Sequence, residues 1–306
     1  MKQNRILTSC LSIFLMGGAP AAQAADQPLR VVASLSTFAD LVKVIGAEYV
    51  DVSSIAPPKF NPHFIEPKPS DVLKVKRADL FIHAGLDLEL WRWPLLDAAG
   101  NTKLFAGSPG QLDLAQGIPL LEVPSRAVTR AEGDIHIYGN PHYWMSPENV
   151  RTMAQSICDK LCAFDPQHQD AYHRNLREFL NRLDQKIVEW RSQLAPHKGR
   201  EVIGYHNEWI YLMEFAGLKM EHFLEPKPGI PPTPQHVQFI EAYMTRQRIP
   251  AIVQATYFPR QTADVIAKRT GAHVVLLCQG VRELPACGDY IAMMDYNVSQ
   301  LVAALR

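Results

Sequence analysis

Two kinds of hydrophobic period alternate along this chain. Residues 29–35 form a β-branched apolar run, 38–45 repeat apolar positions at helical spacing, and 50–55 return to a strand pattern. Ser70-Asp71 caps a short helix, and 78–83 reads as a buried strand. The pattern resumes after residue 200. Strands are predicted at 201–204, 251–254 and 273–277, helices at 207–215, 235–247 and 261–270, and a final helix at 291–305. Strands alternating with helices predict parallel sheets covered by helices, so the expected fold class is α/β, built as two similar domains.

Between the halves the period changes. Asp165 is a good helix N-cap, with Pro166 at the first helical position. Leu176, Leu180, Leu183, Ile187, Trp190 and Leu194 follow at alternating steps of four and three, one apolar stripe ending before Pro196 and Gly199. About 28 residues at 1.5 Å rise give roughly 40 Å, the length of a domain. A coiled-coil segment is the plain alternative, but about four heptads inside an α/β chain suit a domain-spanning strut better. The expected organisation is an N-terminal α/β domain at 25–165, a long rigid linking helix at 166–198 and a C-terminal α/β domain at 199–306. A helical link is stiffer than a Gly/Ser linker and restricts hinge closure.

The first 24 residues stand outside this scheme and read as a secretory signal peptide. Lys2 and Arg5 form the positive start, a short apolar run follows, and Ala22-Gln23-Ala24 supplies the small-x-small site, with cleavage expected after Ala24. Leu7-Thr8-Ser9-Cys10 only loosely resembles a lipoprotein box. The implied location is the periplasm, and no later stretch approaches the length of a membrane span. Export permits disulfides, so the four remaining cysteines matter. Cys278 and Cys287 flank a loop-like stretch and are expected to bridge. Cys158 and Cys162, one helical turn apart, are within reach of a bridge, though the spacing is uncommon for one.

Composition serves to exclude. The 306 residues carry 31 basic and 31 acidic side chains, and loss of Lys2 and Arg5 leaves the chain slightly negative. A nucleic-acid binder should show a basic excess, so no nucleic-acid partner is expected. No Gly-rich phosphate loop, G-x-S-x-G elbow or H-E-x-x-H helix is present.

Eleven histidines without a polyhistidine tract direct the search to metal ligands. Two occupy the same tripeptide, Asn61-Pro62-His63 and Asn140-Pro141-His142, where proline fixes the backbone ahead of the imidazole. A third, His206 in Ile203-Gly204-Tyr205-His206-Asn207-Glu208-Trp209, falls where a buried strand gives way to a helix. Ligands of open α/β sheets bind beyond such strand ends. A lone histidine is more often structural; three at comparable positions point to a shared site. His168, His173, His197, His222, His236 and His273 read as surface or packing residues, Trp91-Arg92-Trp93 as helix packing, and 225–232 as a stiff surface loop.

These residues resemble the periplasmic metal-binding proteins that feed zinc or manganese to ATP-binding-cassette importers, over essentially the whole mature chain. Val32-Ala33-Ser34-Leu35-Ser36-Thr37-Phe38 resembles the family's opening strand and helix. Asn61-Pro62-His63-Phe64-Ile65-Glu66-Pro67-Lys68-Pro69-Ser70-Asp71 is similar to its D-P-H-x-Y-E-P-x-P-S-D motif, and Asn140-Pro141-His142-Tyr143-Trp144-Met145-Ser146-Pro147 to its D-P-H-x-W-L-D-P. Tyr205-His206-Asn207-Glu208-Trp209 resembles its third ligand segment, and 290–297 its last helix.

The resemblance implies two α/β domains on a single helix and metal ligands at His63, His142 and His206. The chain departs from the pattern at the fourth ligand. Many members carry an aspartate where this one reads Leu277-Cys278-Gln279-Gly280-Val281-Arg282-Glu283. Water, Glu66, Cys278, Gln279 or Glu208 could stand there, with water or Glu66 favoured. The acidic, His-rich loop of many zinc members is reduced to Glu132, Asp134 and His136 at 123–139, with His136 an auxiliary ligand candidate. Three neutral imidazoles and at most one carboxylate suit Zn2+ as the transported ion, with Mn2+ or Cu2+ also able to bind. The implied protein is a monomer and not an enzyme, and its partner is a membrane permease. Two other readings of the same residues are an exported zinc hydrolase with Glu66 or Glu208 as base, and an adhesin-type member in which metal is structural or is manganese.

Overall fold

The computed structural model describes residues 27–125, 136–227 and 229–306. The expected leader with its cleavage after Ala24, Cys10, the loop acids Glu132 and Asp134, and Pro228 lie outside them. Two all-parallel sheets organise the chain. The first has strand order β2-β1-β3-β4, with β1 Leu29–Ala33, β2 Val50–Ser54, β3 Leu80–His83 and β4 Gln111–Asp113. The second has order β5-β6-β7, with β5 Ile203–Gly204, β6 Ala251–Ala255 and β7 His273–Leu277.

Strands β3 and β6 are buried along their whole length, as central parallel strands covered on both faces must be. Register is set by apolar pairs: Val31 lies opposite Val52 on one side and Leu80 on the other, and Val253 opposite Val275. Helices α1 (Ser36–Gly46), α4 (Pro147–Phe164) and α5 (Gln169–Leu194) pack together, while α2 (Pro69–Arg77) packs on α3 (Arg92–Ala99). Around the second sheet run α6 (Ile210–Ala216), α7 (Pro234–Gln247), α8 (Gln261–Thr270) and α9 (Tyr290–Ala304).

Helix α5 is the expected strut. Its 26 residues span about 39 Å, and short 3-10 turns at Pro166–His168 and Ala195–His197 extend it at both ends. Leu176, Leu183, Ile187, Trp190 and Leu194 are buried as the stripe requires, joined by Tyr172 and Phe179, while Leu180 is half-buried. The helix is tied to both halves. Asn175 donates to the Ile45 carbonyl of α1 at 2.9 Å, and the Trp190 indole N–H to Asp295 of α9 at 2.8 Å.

Several expectations shift in detail. Asp165 is the N-cap, with Pro166 following, of the 3-10 turn that leads into α5, but its side chain caps no backbone N–H there. Its carboxylate accepts instead from His168 Nδ1 at 2.7 Å and from the Tyr172 hydroxyl, and the α-helix proper starts at Gln169. Helix α2 is capped at Lys68, whose backbone N–H donates to Asp71 at 2.9 Å. Helices α3 and α4 and strand β4 are elements that the sequence reading did not assign. Among the described residues, no helix is long and apolar enough to cross a membrane.

The disulfide expectation is overturned: Cys158, Cys162, Cys278 and Cys287 are all free thiols. Asn297 pins the Cys278 backbone from both sides, accepting its N–H and donating to its carbonyl at 2.8 Å each. The buried Cys278 and Cys287 thiols are hydrogen-bonded to one another, which pushes the Cys278 thiol up and lowers that of Cys287. Cys158 and Cys162 face His173 and not each other alone.

Candidate metal centre

The three histidines named from sequence converge, each at a loop beyond the carboxyl end of a parallel strand. His63 lies in the segment after β2, His142 just before α4, and His206 directly after β5. One ligand atom from each lies within 4.8 Å of the other two. His63 Nε2 and His142 Nε2 are 3.2 Å apart. That separation is the edge of a tetrahedron with metal–nitrogen bonds of about 2.0 Å. His142 and His206 are buried, and His63 is partly buried at the rim.

Both Asn-Pro-His tripeptides use one local device. The Asn61 side-chain oxygen accepts the His63 backbone N–H at 3.0 Å, and that of Asn140 accepts the His142 N–H at 3.1 Å. With proline fixing φ between, each Asx turn presents the imidazole in a set direction. Trp91 anchors the first tripeptide by donating to the Pro62 carbonyl at 2.8 Å. Asn140 anchors the second by donating to Glu122 at 3.0 Å and to the Asn207 carbonyl at 2.9 Å, the latter joining the second ligand segment to the third.

His206 is oriented differently. Its Nδ1 lies 2.8 Å from Glu225, and both side chains are buried. A carboxylate can only accept, so Nδ1 carries the proton and Nε2 keeps a lone pair for an ion. Glu225 sits in the loop that the sequence reading took for a structural element. The two lie 19 positions apart in sequence, and nothing local signals the pairing. The two asparagines were visible in the repeated tripeptide, but their bonding role was not.

Around the trio stand further groups. The His136 ring lies 4.9 Å from that of His63, with a buried Nε2 that has no hydrogen-bond partner among the described residues. Gln279 is buried near enough to His142 to act on its charge, and both its carboxamide atoms lack partners among the described residues. Glu208 is buried, accepts the Tyr257 hydroxyl at 2.6 Å and leaves Oε1 unpaired there. Burial holds its carboxyl up to about 7, opposed by His206. Glu66 is exposed to solvent and Cys278 is engaged with Cys287, so neither joins the cluster.

Desolvation and mutual repulsion among four imidazoles hold His63 and His142 well below the usual histidine range; His136 is lowered to about 4, first by burial and then by His206. At neutral pH these rings are therefore uncharged, with lone pairs available to a cation. Three preoriented nitrogen donors, with an amide, a carboxyl group and a fourth imidazole nearby, make a set that could hold a divalent transition metal.

A family model described as zinc-uptake complex component A, periplasmic, matches residues 31–304. The manganese ABC transporter substrate-binding lipoprotein PsaA of Streptococcus mitis is 24% identical over 291 residues, 92% of this chain and 91% of its own length. The iron ABC transporter substrate-binding lipoprotein MtsA of Streptococcus pyogenes serotype M6 is 24% identical over 317 residues, covering 99% and 98%. A crystal structure of ZnuA superposes with a TM-score of 0.78 at 25% identity, covering 92% of this chain and all of that one. Members of the family are transporter components, which sets the hydrolase reading aside. The chain therefore belongs to the zinc-uptake component A family, the metal-binding proteins that deliver their ion to the membrane permease of an ATP-binding-cassette importer.

Proposed function

We propose that this protein works in the periplasm as a monomer, captures Zn2+ through His63, His142 and His206 in the cleft between its two α/β domains, and hands that ion to the permease. The observation that carries the reading is the donor set: three imidazoles with a ligand atom each within 4.8 Å of the others, and no carboxylate among them. Zinc accepts tetrahedral nitrogen sites, whereas manganese prefers oxygen donors. Gln279, Glu208 or a water completes the shell, since Glu66 stands apart and exposed. Glu208 is the one feature favouring a second reading, manganese or iron as cargo, because a buried carboxylate supplies the oxygen donor those ions prefer.

Calorimetric titration of chelator-stripped protein with Zn2+ and Mn2+ decides between them. One Zn2+ should bind at sub-micromolar affinity and more tightly than Mn2+, and His206→Ala should weaken it at least about tenfold. Tighter Mn2+ binding would move the assignment to the second reading. An unchanged affinity in His206→Ala would remove that residue from the site.

A further inference from the structure

A second group of donor side chains lies well away from the histidine cleft. Cys158 and Cys162 stand one turn apart on α4, which brings both sulfurs to the same face. His173, in the first turns of α5, lies against that face. Cys158 Sγ is 3.6 Å from His173 Nδ1, and Cys162 Sγ is 3.8 Å from Nε2. One ligand atom from each of the three falls within 4.8 Å of the others. Cys158 is eleven residues beyond the start of α4, so about 16 Å of helix separates it from the His142 end.

We propose that Cys158, Cys162 and His173 form a second metal site, selective for a thiophilic divalent ion and built for Zn2+. Bond lengths of about 2.3 Å to sulfur and about 2.0 Å to nitrogen at tetrahedral angles place sulfur about 3.5 Å from nitrogen. Each sulfur lies within a few tenths of an ångström of that edge from one ring nitrogen, Cys158 from Nδ1 and Cys162 from Nε2. An ion takes one of the two nitrogens, and because one ligand atom from each residue already lies within 4.8 Å of the others, a small side-chain rotation closes the remaining edge. Cys158 is buried, while Cys162 and His173 are partly exposed, which leaves an approach for the ion and a place for water as fourth ligand.

The surroundings favour a cation. Asp159 and Asp165 both act electrostatically on Cys162. Without an ion the thiols stay protonated, since burial pushes Cys158 up to about 12 and raises Cys162 as well. Capture of one Zn2+ then forms two zinc–sulfur bonds and releases two protons, so affinity at this site rises with pH. The donor types also separate the two sites. Sulfur ligands favour zinc over manganese, whatever the all-nitrogen site carries.

Cobalt titration of the full, reduced chain tests this, because thiolate–cobalt bonds give an intense near-ultraviolet charge-transfer band and imidazole–cobalt bonds do not. Two equivalents of Co2+ should bind, with the band tied to one of them and bleached by added Zn2+. Cys162→Ser should abolish the band. His173→Gln, at a partly exposed position, should weaken that equivalent at least about tenfold and gives the same reading if Cys162→Ser folds poorly. His142→Ala should leave the band intact, so failure at either site is distinguishable from failure at the other. Absence of a thiolate band in the reduced wild-type chain would overturn the proposal. So would a band unchanged in both Cys162→Ser and His173→Gln, which would place it on Cys278 and Cys287.

Discussion

With His206 as a ligand of the proposed site, its bond to Glu225 should set a measurable share of the metal affinity. In Glu225→Gln the side chain keeps its size but loses its charge. A charge-assisted hydrogen bond contributes about 1.5–3 kcal/mol and a neutral one about 0.5–1.5 kcal/mol, so roughly 1–1.5 kcal/mol of orientation is lost. That is about tenfold in affinity. The amide also introduces a donor. If its NH2 group faces Nδ1, the imidazole takes the other tautomer and the proton moves to Nε2, the nitrogen required by the ion. The expected loss is therefore between about tenfold and a hundredfold, within the range found for partners of metal-bound histidine. Glu225→Ala should lose at least as much, because it leaves a buried Nδ1–H without its acceptor at 2.8 Å. Competition for Zn2+ against a chromophoric chelator at neutral pH measures both variants, with melting curves as a folding control. A folded Glu225→Gln within about threefold of wild type would refute the orienting role.

Two other outcomes follow from burial and titration. His136 is held at about 4 in the folded chain, below the ordinary histidine value of about 6.5 for the unfolded one. Between those values the unfolded chain binds more protons, so the metal-free protein should lose stability as pH falls from about 6.5 toward 4; His136→Ala should flatten that slope in melting curves. Trp190 is fully buried on α5 and bonded to Asp295, so Trp190→Ala should cost about 3–5 kcal/mol in denaturant unfolding by opening a cavity between strut and α9.

The sequence made legible whatever repeats with a period or recurs as a motif. Every strand but the short β4, the α5 stripe and the three histidines that the fold brings together were of this kind. Helix α4 has an equally regular stripe in Val150, Met153, Ala154, Ile157, Cys158 and Leu161, all buried. Its two cysteines were read in sequence only as a possible bridge, and the stripe that carries Cys158 was not assigned. Pairings across long sequence separations were not legible. Glu225 with His206, Asn140 with Asn207, and His173 with the α4 cysteines depend on how loops and helices are brought together, and no local pattern encodes them. The disulfide expectation failed on the same point. Cysteine spacing shows that a bridge can be reached, not that the folded chain forms one.

Helix α5 has a consequence for how the ion leaves. A strut bonded to α1 near one end and to α9 near the other resists the wide opening by which a hinged receptor empties itself. With the proposed ligands, unloading would fall to the segments that carry them, and the Asn140–Asn207 bond stitches the His142 and His206 segments together. A permease that unseats this stitch would release two of the three imidazoles in one motion. Discharge would be a local unlatching at the rim, with the body of the protein serving as a fixed frame for its partner to push against.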